Sequence, residues 1–128
     1  MELEKLFRLS EAKLEASKGE LAKAAEIISA TFNTHPGDPD ARETLAEIMG
    51  QNGRKDLEIG ILAELLQEQS DNWRVAEALY KVLQSENRLT DAIDVLAGFA
   101  IANPHAEEAI SLCQSLGLDL QSINSEYR

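Results

Sequence analysis

The sequence predicts an all-α fold made of helix pairs repeated along the chain, and three observations carry that reading. Gly19, Gly53 and Asn87 recur at an even spacing of 34 residues. Apolar positions keep step with them: Ile28, Leu62 and Leu96 coincide, as do Ile27, Ile61 and Val95, and Leu14, Ile48 and Val82. The apolar content is led by Leu, Ile and Ala with only 5% aromatics, a mixture that suits helix interiors better than strands.

The elements follow from the repeat. Gly and Asn are the residues best able to adopt the left-handed conformation that closes a helix, so each of the three marks a turn inside a pair. Pro36 and Pro104 lie two periods apart and mark breaks between units, with Ser70 in the intervening place. Asp38 and Asn72 are equivalent and suit helix N-caps, and Pro39 suits a first helical position. The spacing therefore predicts helices over 3–17 and 20–33, 39–51 and 55–68, then 73–85 and 89–102. A seventh follows near 105–116 and ends at Gly117. As domains, this is a single repeat array over 1–128, with units at about 5–38, 39–72 and 73–106, a capping helix over 107–117, and residues 118–128 as a tail or a further short helix.

Composition narrows the function. With 12 basic and 23 acidic residues the net charge is -11, which opposes binding to nucleic-acid phosphates and to anionic membranes. No segment is long and apolar enough to read as a membrane span, and the charged start MELEKLFRLSEAKLE lacks the apolar core of a signal peptide. A single cysteine forms no internal disulfide. The expectation is a cytoplasmic protein.

No spacing of catalytic or metal-ligating residues stands out. HExxH, CxxC, Walker and GxSxG patterns are missing from the sequence, so no catalytic residue, cofactor or metal is expected. Cys113 aligns with Leu45 and Leu79 and reads as a core residue. His35 and His105 fall in loops two units apart, too distant to share a metal. Trp73 opens a helix beside a loop, where it either packs over that loop or anchors a partner.

A helix pair repeating at 34 residues, with a small residue early in the second helix and a closing proline, resembles the tetratricopeptide repeat family. The third unit carries the likeness best: Leu79, Leu83, Ala92, Leu96 and Pro104 stand where the family has its large, large, small, large and proline positions. The likeness spans about Lys5 to Leu116. Glu58 and Phe99 depart from it by standing at small positions, and Glu11 and Glu15 by standing at apolar ones.

The resemblance implies a right-handed α-solenoid of antiparallel helix pairs whose first helices line a concave groove that holds a peptide or protein. Carried onto this chain, the groove candidates are Leu6, Leu9 and Lys13, then Asp40, Glu43 and Glu47, then Arg74, Glu77, Lys81 and Gln84. The family's clamp of cations around a partner's terminal carboxylate has no counterpart, because Glu43 and Glu77 occupy places where cations would serve. The expected role is a non-catalytic adaptor, assembly factor or chaperone. The alternative is a self-associating structural protein joined through its ends, Leu3, Leu6 and Phe7 at one and Leu118, Leu120 and Ile123 at the other.

Overall fold

The computed structural model describes residues 2–126; residues 1, 127 and 128, the last two from the expected tail, lie outside it. Among the described residues there are eight helices and no strand. They are α1 (Glu2–Ser17), α2 (Leu21–Thr34), α3 (Pro39–Gln51), α4 (Lys55–Glu68), α5 (Trp73–Ser85), α6 (Leu89–Ala102), α7 (Glu107–Ser115) and α8 (Leu120–Glu126). The first six match the expected spans to within a residue. Residues 118–128, left open between helix and tail, contain α8, whose first turn is capped by the Asp119 carboxylate accepting from the Gln121 and Ser122 N–H groups.

The repeated turn is the same local structure each time. Gly19, Gly53 and Asn87 have φ of 84°, 81° and 59°, and Gly117 joins them at 74°. One residue further on, the N–H groups of Glu20, Arg54 and Arg88 reach back to the carbonyls of Glu15, Met49 and Leu83, each at 2.9 Å, and Leu118 reaches Cys113 at 3.0 Å. These closures satisfy carbonyls that a helix end otherwise leaves bare. At the opposite ends, Asp38 accepts from the Ala41 N–H at 3.0 Å and Asn72 from the Val75 N–H at 3.4 Å, with Pro39 at the first helical position. Both expected caps are in place.

Contacts divide the chain into two compact units, one ending at Ile61 and the other beginning at Leu62, so the boundary falls within α4. In the first, α1 packs on α2, and α3 packs on both. Its core gathers Ala12, Ala16, Ala24, Ile28 and Ile48, with Ile27, Phe32, Leu45 and Met49 against it. In the second, α5 packs on α6, and α7 and α8 pack on α6. Val75, Ala76, Leu79, Val82, Leu83, Ala92, Leu96, Ala109 and Cys113 are buried there.

The register predicted from sequence holds at its central column, where Ile28, Leu62 and Leu96 are 3%, 2% and 0% exposed. It fails once. Leu14 is 55% exposed although its equivalents Ile48 and Val82 are buried. In α1 the buried stripe runs through Lys5, Leu9, Ala12 and Ala16, and Leu14 lies on the opposite side of the helix.

Candidate functional site

In the second unit the α5 backbone is anchored by its buried face, and the same periodicity presents Arg74, Glu77, Lys81 and Gln84 along the other. Arg74, Lys81 and Gln84 are exposed and Glu77 is partly so. Lys81 Nζ lies 3.9 Å from Glu77 Oε2, one turn away. The stripe is a row of polar side chains, charged with both signs at Arg74, Glu77 and Lys81, on a helix whose far side is packed.

The first unit carries a comparable row. Asp40, Glu43 and Glu47 follow one another along α3, and Lys13 of α1 meets Glu47 at 3.1 Å with both side chains about half exposed. Leu9 does not join them. It is 4% exposed because it shares the buried stripe of α1 with Ala12 and Ala16, so it holds the helix rather than meeting a partner. Leu6 is 45% exposed. Asp40 is partly committed to the fold, since its Oδ2 accepts from Lys5 Nζ at 3.0 Å.

Lys5 was not foreseen. It is the one charged member of the buried stripe of α1, 6% exposed, and its ammonium also donates to Asp38 Oδ1 at 2.9 Å. Burial by itself raises the Asp38 pKa, but the Lys5 hydrogen bond, the Ala41 N–H and the nearby positive charge outweigh it and hold the carboxyl below its ordinary value. The signal in the sequence was a lysine on an otherwise apolar stripe, about one period before a capping aspartate. A similar tether exists in the second unit, where the Asn103 side-chain amide donates to the Ser70 carbonyl at 2.9 Å.

Trp73 packs on Phe99, with ring centroids 5.4 Å apart and planes inclined at 48°. That settles its packing and explains Phe99, which fills a place where a small residue was expected. Two periods earlier the same positions hold Lys5 and Thr31, and there the fold leaves a hollow of about 250 Å3 between α1 and α2, edged by Arg8 and His35. Cys113 is fully buried, and burial pushes its thiol pKa up. Among the described residues no three His, Cys, Asp or Glu side chains gather as metal ligands, and no helix is long and apolar enough to cross a membrane.

At the end bearing Leu3 and Phe7 the apolar surface is open, 76% and 72% exposed, whereas Leu118, Leu120 and Ile123 are each partly buried. No family model matches the chain, and no curated protein and no solved structure matches it either.

Proposed function

We propose that the chain is a non-catalytic protein-interaction module, built as the tetratricopeptide resemblance implies, that holds a peptide or protein partner against the charged faces of its first helices. The observation that carries this reading is the α5 stripe: Arg74, Glu77, Lys81 and Gln84 sit at intervals of three and four residues on a helix whose other face is buried through Val75, Ala76, Leu79, Tyr80, Val82 and Leu83. The packed far side holds the backbone of this row, so a partner meets the four side chains at a set spacing on a helix that need not rearrange. In the first unit Lys13, Asp40, Glu43 and Glu47 offer a second row, more acidic than the first. A partner of mixed sign with a basic portion suits both, and steering by the overall charge of -11 favours it.

The test is residue-specific photocrosslinking. A photoreactive residue replaces Gln84 in one variant, Glu47 in another and Glu64 in a third, Glu64 being exposed on α4. Crosslinks to a partner from the Gln84 variant or the Glu47 variant, with none from Glu64, support the reading. Crosslinks from Glu64 alone overturn it.

A further inference from the structure

Helix α1 is apolar on two opposite sides. One, through Leu9, Ala12 and Ala16, is buried in the first unit; the other carries Leu3, Phe7 and Leu14, 76%, 72% and 55% exposed, with Ser10 between them. Positions 3, 7, 10 and 14 form a single stripe at helical spacing. Beside it runs a groove of about 570 Å3 lined by Leu3, Phe7 and Ile27, with Glu4, Arg8 and Glu11 at its edge. Contiguous exposed apolar surface of this kind marks an interaction site.

The repeat shows what kind of surface this is. One period on, Phe7, Ser10 and Leu14 correspond to Ala41, Thr44 and Ile48, which are 0%, 5% and 2% exposed. Ile48 shares a core cluster with Ala12, Ala16, Ala24 and Ile28 of α1 and α2. The open face of α1 is thus in register with the face by which α3 packs on its neighbours. It has the position of a helix-stacking surface and nothing from this unit lies on it.

We propose that a second copy of this chain covers it, with α1 lying antiparallel on α1 across a two-fold axis near Ser10. Such an axis brings the same edge of both helices together with its order reversed. Glu4 lies on that edge seven residues before Glu11, and Lys18, seven residues after it, directly follows Ser17, the last residue of α1. Within one chain they pair with Arg8 at 3.4 Å and with Glu15 at 3.7 Å, surface contacts that can exchange partners. Each Glu4 then meets Lys18 of the second copy, Phe7 meets Leu14, and the small Ser10 lets the helices approach where they cross. Antiparallel packing sets Glu4 against Lys18 and Phe7 against Leu14, and this match of the surface with its own reverse is the ground for a second copy as the occupant. Glu11 is the exception, falling near the axis beside its own counterpart. The patch is small for a permanent dimer, so the dissociation constant is on the order of micromolar.

Sedimentation velocity over a concentration series tests this. A reversible monomer–dimer equilibrium is expected. Phe7→Glu weakens it by at least about a hundredfold, since the loss counts at two symmetric contacts. Glu4→Lys also weakens it, the pair Glu4→Lys with Lys18→Glu restores it, and Glu11→Gln tightens it. Melting curves of each variant report the fold, and the charge-swapped pair tests the orientation without relying on Phe7→Glu. A chain monomeric at every concentration, a dimer that survives Phe7→Glu, or a swap that fails to restore association overturns the proposal. Reversing Arg74, Glu77 and Lys81 leaves the dimer unchanged, so this result and that for the partner-binding faces are read separately.

Discussion

The Glu58 carboxylate of α4 occupies the space that a Cβ on Gly50 of α3 would fill. In the first repeat the equivalent residues are Ala16 and Ala24, and in the third they are Gln84 and Ala92. The second repeat has exchanged two small residues for one very small and one large. Glu58, at an expected small position, thus has room where residue 50 lacks a Cβ. The arrangement has a cost, because among the described residues Glu58 Oε1 is buried without a hydrogen-bond partner, with Lys55 Nζ at 3.5 Å to offset its charge.

Gly50→Ala with Glu58→Ala should therefore stabilise the chain by about 1 to 2 kcal/mol, combining better helix propensity with removal of the poorly satisfied carboxylate. Gly50→Ala alone should stay within about 1 kcal/mol of the wild type, because the obstructing atoms end a flexible side chain that swings outward. Urea denaturation measures both. A double variant less stable than the wild type contradicts the size exchange.

Leu62 and Leu14 make opposite predictions from similar side chains. Leu62, 2% exposed, should lose about 2 to 5 kcal/mol on change to Ala. Leu14, 55% exposed, should lose less than about 0.5 kcal/mol when measured at high dilution, where association does not contribute. Equal losses would show that the burial pattern of α1 is misread.

Asp38 links stability to pH. Its folded-state pKa lies below the ordinary 3.8, so its contribution is present above that value and lost as pH falls through the lower, folded-state one. Asp38→Asn keeps an N-cap but removes the carboxylate that holds Lys5, and should flatten this acid limb of the stability curve. Asp38→Ala removes both roles and should cost about 1 to 3 kcal/mol near neutral pH, more than Asn does. Denaturation midpoints collected from pH 7 downward check this; an unchanged acid limb in the Asn variant means that the Lys5 contact does not set it.

Much of this fold was legible because its cues are local. A left-handed turn needs Gly or Asn, and a cap needs a short polar side chain, so the elements could be placed from Gly19, Gly53, Asn87, Asp38 and Asn72. What stayed hidden depends on which residues meet across helices. By the period Leu14 is a core position, but α1 is turned so that its buried stripe runs through Lys5 and Leu9 instead. Leu9 was placed on the partner face for the same reason. Lys5 gave a visible cue, but its two carboxylate partners lie 33 and 35 residues away and only packing brings them to it.

Whether partners read the first-helix faces is decided by a binding titration with charge-reversed variants. One variant combines Arg74→Glu, Glu77→Lys and Lys81→Glu; the control combines Lys23→Glu with Glu26→Lys, both exposed positions on the second helix α2, and leaves the overall charge unchanged. Exposed charges contribute little to stability, so both should melt near the wild type. With the partner identified by crosslinking, the α5 variant should lose at least about tenfold in affinity and the control should change little. Wild-type affinity in the α5 variant, with the control impaired, would contradict binding at the first-helix faces.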